Sequence, residues 1–398
     1  KDIEFIFPKE IDIEAFVEKS SFEPYSEEVV NYLDVLSKEL NKDSNIRVYP
    51  DVATFGFFCR RANILSIKKK YPLNDILRLG RGLLFHIAPS NVAVNFAYSL
   101  VSGLLAGNLN IVRVPSKNFE QIDIISKAIE RVSKKTEHEF ISSRIVLVRY
   151  DRLNSATSYF SSICDVRIIW GGDETISLIK KLQSKTTTKD VTFSDKSSLA
   201  IINTKSYLSL DKNARNELAH SFFNDSYWFS QKACSSPGRV YFIGNHAAET
   251  SKIFWKQLGL ELIKNGSLDD VSLSIKKLTS VFQEIIDNDD IKPLIIGKND
   301  HPTVLLQESG SPIHPSCGGG FFIERRLSNL NELPMLLRTK DQTLSYYGFS
   351  SEILNEICQD SLGLGLDRIV PIGHALNFHP VWDGYDLLTE FTKRLTLL

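Results

Sequence analysis

Between Leu83 and Val112 the chain carries no Asp, Glu, Lys or Arg. This uncharged run is punctuated by Ala88-Pro89-Ser90-Asn91 and by Leu105-Ala106-Gly107-Asn108 before Arg113 and Lys117 close it. The punctuation decides what the run can be. A helix across a bilayer needs about 20 apolar residues in succession, and here a proline and the amides of Asn91 and Asn95 interrupt it. The pattern predicts strand, loop, helix, strand. Leu83 to Ile87 has the length and composition of a buried strand, and Val94 to Ala106 has helical length. Gly107-Asn108 stops that helix before a second strand from Leu109 to Val114. Together these pieces form a βαβ unit, which points to a cofactor site more than to a membrane span.

The alternation continues along the chain. Apolar strands at Arg144 to Val148, Val166 to Trp170 and Leu199 to Ile202 are separated by helical segments at Leu153 to Ser162 and Glu174 to Leu182, which argues for a parallel sheet covered by helices. A second series opens with Arg239 to Ile243 and helical Ala247 to Ile263. It runs on through Thr303 to Leu306, Phe321 to Glu324, Leu330 to Leu337 and Glu352 to Ile357. Before both lies a mostly helical stretch in which Val29 to Leu40 is the clearest amphipathic run. The expected class is α/β with two α/β domains. A helical layer over 1–75 packs on a cofactor domain at 76–215, a second domain covers 216–370, and a C-terminal segment covers 371–398. The domain border is set where the sheet-like pattern gives way to polar Asp211 to Asn216.

Composition narrows the function. A chain of 398 residues, 42% hydrophobic and 24% charged, can bury a large core. Its net charge of -1, with no like-charge block beyond Lys68-Lys69-Lys70, gives no electrostatic reason to expect nucleic acid. Five cysteines (Cys59, Cys164, Cys234, Cys317, Cys358) without C-x-x-C spacing indicate neither a disulfide framework nor a metal site, so the compartment is read as reducing. The opening Lys1-Asp2, with no basic-plus-apolar leader, adds to a cytoplasmic reading.

The chemistry-bearing segments are individually weak. No glycine-rich fingerprint follows the first strand, although close backbone approach to a pyrophosphate favours one. Gly80-Arg81-Gly82 precedes a strand and reads as a turn. Gly171-Gly172-Asp173 follows the strand ending at Trp170 and opens a helix whose N–H groups can face a phosphate, although a ligand-free turn fits equally well. Cys234 lies in Gln231-Lys232-Ala233-Cys234-Ser235-Ser236-Pro237, a small-residue loop that makes it accessible, while a cysteine alone is more often a small buried hydrophobe. Cys59, Cys164 and Cys358 keep that bland reading, and Cys317, beside Gly318-Gly319-Gly320, is the rival nucleophile. The aromatic cluster Phe222, Phe223, Tyr227, Trp228 and Phe229 is read first as packing and second as an acyl channel. His374 and His379 are read as structural.

In their order, these segments resemble the aldehyde dehydrogenase superfamily. The series is Pro89-Ser90-Asn91, Leu105-Ala106-Gly107-Asn108, Val114-Pro115-Ser116, Gly171-Gly172, Lys196-Ser197 and Gln231-x-x-Cys234, spread over about residues 80 to 245. Arg368-Ile369-Val370-Pro371-Ile372-Gly373, Trp382-Asp383-Gly384-Tyr385-Asp386 and Ala233-Cys234-Ser235-Ser236-Pro237 are similar to its acyl-CoA reductase branch of the LuxC type. The resemblance implies an aldehyde dehydrogenase-like fold with a Rossmann-like cofactor domain and a catalytic domain. It implies Cys234 as nucleophile and Asn91 as the side-chain donor of an oxyanion hole completed by the Cys234 N–H. Ala88, Pro89, Ser90, Arg113, Pro115, Ser116, Lys117, Gly171, Gly172 and Thr192 fall where relatives bind the nicotinamide cofactor.

Two departures sharpen the reading. Thr192 lines up with the glutamate that activates water in acid-forming relatives and cannot act as that base, so an acyl-thioester on Cys234 would await CoA or a hydride. Val114 replaces the ribose-binding lysine, and Arg113, on the opposite face of the strand, does not simply substitute for it. The usual Glu-x-Phe-Gly-Pro is missing near Gly318-Gly319-Gly320. The expected activity is NADPH-dependent reduction of an acyl-CoA, in particular a fatty acyl-CoA, to the aldehyde, by a homo-oligomer (dimer or tetramer) that works with or without an acyl-protein synthetase. The alternatives are reduction of an acyl phosphate or acyl-protein, and a Cys-dependent acyltransferase or thioesterase on the same fold.

Overall fold

The computed structural model describes residues 3–70, 77–151, 155–266, 271–297, 301–313, 317–360 and 365–396. The chain forms two compact units, Lys1–Ser194 with Pro380–Leu398, and Asp195–His379.

Unit 1 is built on a six-stranded sheet in the order Glu4–Phe7, Ile145–Arg149, Leu109–Arg113, Leu83–Ile87, Val166–Trp170 and Lys189–Phe193. The last five run parallel, and Glu4–Phe7 pairs antiparallel at the edge. Every residue of Leu83–Ile87 is buried, as a strand covered on both faces must be. Phe85 packs on Phe160 from one side, while His86 reaches Ser99 of the Asn95–Leu105 helix on the other. That helix stops at Gly107, whose φ of +82° places it in the left-handed region favoured by glycine. A Cβ there would stand 2.0 Å from the Phe22 carbonyl oxygen. The helical layer packs its Glu27–Asn41 helix against Pro50–Phe58 and Glu120–Ser133. The chain returns to unit 1 at Pro380, and Thr392–Leu395 pairs with Leu77–Gly80 in a two-stranded ribbon.

Unit 2 carries a seven-stranded sheet in the order Ile291–Ile295, Thr303–Gln307, Phe321–Leu327, Pro237–Ile243, Ser197–Asn203, Asp341–Tyr347 and Arg368–Pro371. All neighbours are parallel except the Ile291–Ile295 edge. Phe222, Phe254, Trp255 and Phe322 fill the core on one face, and Leu199, Tyr241, Leu333 and Leu344 fill it on the other.

The units divide earlier than the expected border at 215. Ser197–Asn203 lies between Pro237–Ile243 and Asp341–Tyr347, so it belongs to the second sheet. Periodicity marks a strand without naming its sheet. The expected C-terminal segment 371–398 is likewise split, with 371–379 in unit 2 and the remainder in unit 1. Leu330 to Leu337 forms two short 3₁₀ turns. The expected border at 75/76 and the start of the segment at Leu153 lie outside the described residues.

Candidate active site

In unit 1 the sheet order reverses direction beside Leu83–Ile87. The chain moves outward to Leu109–Arg113 and Ile145–Arg149, then crosses to Val166–Trp170 and Lys189–Phe193 on the other side. In open parallel sheets ligands bind at such a switch point, beyond the carboxyl ends of the strands. Ala88-Pro89-Ser90-Asn91 leaves one of the two strands at this reversal and Gly171-Gly172 leaves the other. Backbone ladders carry into both segments, with Ala88 N–H donating to the Arg113 carbonyl at 3.1 Å and Gly171 N–H to Phe193 at 3.1 Å. Ser90 and Asn91 are exposed.

Gly172 is the N-cap of Asp173–Lys180 and makes no side-chain cap, so the first-turn N–H groups receive no cap from it. Asp173 and Glu174 in that turn complement the helix dipole. Thr192 is half-buried near the carboxyl end of its strand, paired with Ile169. Beside it Phe193 stacks on Trp170 at 3.7 Å between ring centroids. Pro115 is buried, while Ser116 and Lys117 are exposed. The Arg113 guanidinium is turned inward, 5.0 Å from the centroid of the Tyr150 ring and donating to the Tyr150 carbonyl at 3.3 Å. That leaves Lys117 as the exposed cation of the segment.

Beneath the switch point runs a buried chain of hydrogen bonds. Trp170 Nε1–H donates to Ser99 Oγ at 3.2 Å, Ser99 Oγ lies 2.7 Å from His86 Nδ1, and His86 Nε2 lies 3.0 Å from Asn110 Oδ1. Burial lowers the His86 pKa to about 4, so the ring is neutral at physiological pH.

In unit 2 the candidate chemistry gathers at the amino ends of neighbouring parallel strands. The Cys234 loop precedes Pro237–Ile243 and Gly318-Gly319-Gly320 precedes Phe321–Leu327, adjacent in the sheet. Cys234 is half-buried. Its carbonyl accepts from Ser198 Oγ at 2.6 Å, and Ser198 Oγ accepts from Thr343 N–H at 3.1 Å. Ser236 Oγ donates to the Asp225 carbonyl at 2.7 Å.

Gln231 joins the two loops. Its Nε2 donates to the carbonyls of Pro237 and Phe321 at 2.9 and 3.0 Å, and its Oε1 accepts from the N–H groups of Gly320 and Phe321 at 2.9 and 3.0 Å. Ser230 and Gln231 pay for this turn with φ of +51° and +59°, strained for residues with a Cβ. Gly320 is required in return, because a Cβ there would stand 2.1 Å from the Tyr227 hydroxyl.

Asp225, fully buried under the loop, accepts from the N–H groups of Gly373 and Ala375 at 2.7 and 3.0 Å. It thereby ties the Arg368-to-Gly373 motif to the helix that feeds the Cys234 loop. Desolvation raises its pKa to about 7 against the opposing pull of those two N–H groups and of Arg368. Neither Gln231 nor Asp225 was assigned a role from sequence. Gln231 was visible only as a motif letter, and nothing in spacing separates Asp225 from any other helix-end aspartate.

Among the rivals, Cys317 packs against the cluster around Val281 and Ile291, and burial raises its pKa against a hydrogen bond from Ser280. Cys59 and Cys164 are buried, and Cys358 is exposed on Ser351–Asp360. Phe222 and Tyr227 belong to the core, while Trp228 is exposed. Among the described residues no helix is long and apolar enough to cross a membrane.

The sequence profile of acyl-CoA reductase (LuxC) matches residues 61–394. The chain belongs to the LuxC acyl-CoA reductase family. It is therefore an oxidoreductase of the acyl-reducing kind, and family membership carries acyl reduction to an aldehyde as the general activity. No curated protein sequence matches it.

Solved structures show the shared fold. Glyceraldehyde-3-phosphate dehydrogenase GapN from Methanocaldococcus jannaschii, complexed with NADP, is 13% identical with a TM-score of 0.64, covering 96% of this chain and 91% of that one. Lactaldehyde dehydrogenase from Escherichia coli is 13% identical at a TM-score of 0.63, over 92% and 85% of the two chains. Betaine aldehyde dehydrogenase from Staphylococcus aureus is 14% identical at 0.65, over 96% and 85%. The LuxC-type chain thus has the aldehyde dehydrogenase architecture of two α/β domains.

Proposed function

We propose that this LuxC-family chain reduces a fatty acyl-CoA to the aldehyde with NADPH, through a covalent thioester on Cys234. The observation that carries the reading is the Cys234 loop itself. It holds a half-buried cysteine, pinned at its own carbonyl by Ser198 and clamped three residues earlier by Gln231. Fixing a nucleophile in this way suits attack on a bound carbonyl.

The cofactor's place is supported by the unit 1 switch point, where the small residues Ala88, Ser90, Gly171 and Gly172 leave the backbone approachable. Lys117 offers an exposed cation for a 2′-phosphate. When bound there, NADPH supplies the hydride.

The chain's own residues do the rest. The Cys234 sulfur bonds to the acyl carbon, the carbon–sulfur bond to CoA breaks, and CoA leaves with the thiol proton. By their places in the family motif, Asn91 and the Cys234 N–H are the groups we assign to the negative charge that builds on the acyl oxygen. Thr192, with a hydroxyl in place of a carboxylate, does not activate water, so the thioester lasts until it is reduced. Collapse of the resulting thiohemiacetal frees the Cys234 thiol and the aldehyde. Five free cysteines suit a reducing compartment, and we place the enzyme in the cytoplasm as a dimer or tetramer.

The test is to mix the protein with an acyl-CoA in the absence of cofactor and map the added mass. One modified peptide containing Cys234 is expected. It should lose its acyl group slowly to water and quickly, as aldehyde, once NADPH is added. Rapid release of free acid without NADPH overturns the reductase reading in favour of a thioesterase. Label on Cys317 moves the nucleophile.

A further inference from the structure

Ser99 is buried inside Asn95–Leu105, the helix that follows Ala88-Pro89-Ser90-Asn91, and its hydroxyl is where three elements of unit 1 meet. Trp170 Nε1–H reaches it from the strand that leads to Gly171-Gly172, and His86 Nδ1 reaches it from the strand that leads to Ala88.

Donor chemistry at its two ends fixes the direction of every hydrogen bond in this chain. An indole N–H only donates, so Ser99 Oγ accepts from Trp170 and its own proton is left for His86 Nδ1. At the other end the Asn108 carbonyl only accepts. The Asn110 amide therefore turns its Nδ2 toward that carbonyl, at 2.8 Å, and presents Oδ1 to His86. Both ends demand the same ring, a neutral His86 with its proton on Nε2. Asn108 carries the network on, its Nδ2 donating to the carbonyls of Gly103 and Phe391 and its Oδ1 accepting from Gly82 N–H. The helix gives way to it at Gly103, where a Cβ would stand 1.9 Å from Asn110 Oδ1 and 3.2 Å from His86 Nε2. Glycine thus occupies a place where alanine is the better helix former.

The returning C-terminal segment closes on the same network. Asp383 and Gly384, with φ of +50° and +77°, form the two-residue turn of a hairpin in which Val381–Trp382 pairs with Tyr385–Asp386. The hairpin sets Tyr385 in a T-shaped contact with Phe193 at 5.6 Å, and Phe193 stacks on Trp170. Phe391 makes a T-shaped contact with the His86 ring at 6.3 Å.

We propose, resting on the reading of the unit 1 switch point as the NADPH site, that Ser99 and His86 are positioning residues. They hold the Ala88-Pro89-Ser90-Asn91 and Gly171-Gly172 segments at the spacing the dinucleotide needs, and the Trp382-to-Tyr385 motif braces them through Phe193 and Trp170. Stability alone does not call for such a network, because apolar groups of the same shape can replace both partners of a buried hydrogen bond with little loss. What the polar chain adds is one fixed arrangement.

Two measurements test this. Nitrogen-15 spectra of histidine-labelled protein near pH 7, with His86→Gln identifying the resonance, should show the His86 proton on Nε2. A proton on Nδ1 overturns the hydrogen-bond order and the proposal with it. Calorimetric titration with NADPH, set beside the thermal midpoint of each variant, should show the dissociation constant raised about tenfold by Ser99→Ala. Trp170→Phe, which removes the N–H and keeps an aromatic ring, should raise it less. Tyr385→Ala should also weaken binding, and Tyr385→Phe should restore it. A purely structural network would lower the midpoint and leave the dissociation constant of the folded protein unchanged, and that outcome overturns the proposal. If Ser99→Ala does not fold, Trp170→Phe decides by the same comparison. A parent chain that binds no NADPH removes the cofactor reading and this proposal together, whereas a parent that binds it no better than the variants defeats the proposal alone.

Discussion

The two sheets use opposite ends of the same kind of strand. In unit 1 the candidate residues sit where parallel strands finish, on segments of small residues that prolong the backbone ladder and leave Ser90 and Asn91 exposed. In unit 2 they sit where parallel strands begin, on a loop held by Ser198, by the four hydrogen bonds of Gln231 and, through Ser236, by Asp225. A cofactor that must enter and leave needs approachable backbone. A nucleophile that must meet one carbonyl needs a fixed one. The difference teaches that strain is concentrated where position matters, since Ser230 and Gln231 adopt positive φ in the clamped loop.

The proposed separation of roles can be broken most severely at the proposed nucleophile. Cys234→Ala is expected to lower turnover by about 10⁴-fold or more while NADPH still binds, read by calorimetric titration. Loss of cofactor binding in that variant would show that the two ends are not independent. Next in size, Asn91→Ala should slow acylation on the order of 10² to 10³-fold with cofactor affinity nearly intact. Simultaneous loss of both would return Asn91 to the role of a turn residue.

Acid should act on the two units in opposite directions. The folded pKa of His86, about 4, lies below its ordinary 6.5, so its contribution is complete above pH 6.5 and is lost as pH falls toward 4. At about 1.4 kcal/mol per unit the loss reaches roughly 3 kcal/mol. The folded pKa of Asp225, about 7, lies above its ordinary 3.8, so its contribution is complete below 3.8 and is lost as pH rises toward 7. Hydrogen exchange, corrected for intrinsic rates, should show Leu83–Ile87 less protected at pH 4.5 than at 7, and amides 373–375 more protected. Parallel behaviour of the two segments would refute the assignment.

Removing the clamp sharpens the comparison further. Gln231→Gly relieves the strained backbone but deletes the four hydrogen bonds, and acylation should slow by about 10 to 10²-fold through misplacement of Cys234. Full activity in that variant would make the clamp dispensable. The smallest expected effect is at the cofactor phosphate. Lys117→Ala should reduce the NADPH-over-NADH ratio of kcat/KM about tenfold, whereas Arg113→Ala, whose guanidinium is occupied by Tyr150, should leave it unchanged.

What could be read from sequence follows the same division. The βαβ unit was legible because its strands are buried on both faces and so appear as unbroken apolar runs. Val166–Trp170 is found at its expected bounds, and Asn95–Leu105 lies within one residue of them at each end. Asp341–Tyr347 was not expected as a strand, because it begins with Asp341 and Gln342, and burial of an aspartate there depends on the fully buried Arg239 from another strand. No local pattern announces a partner about a hundred residues away. Cys234 and Asn91 were recognisable as motif residues. The inward turn of Arg113 and the positive φ at Gln231 depend on tertiary contacts that leave no local signature.

Unit 1 is a discontinuous host and unit 2 is its insert, which bears on the order in which the chain is made. As the polypeptide emerges, residues 195–379 are complete while their host still lacks 380–398. Until the final segment arrives, the Asn108 amide has not met the Phe391 carbonyl, Arg81 has not met Glu390, and Leu77–Gly80 has no strand to pair with. Domains generally fold as units during synthesis. The inserted half can thus finish before the half that began first, and a ribosome stalled before Pro380 would present a folded unit 2 on an unfinished unit 1.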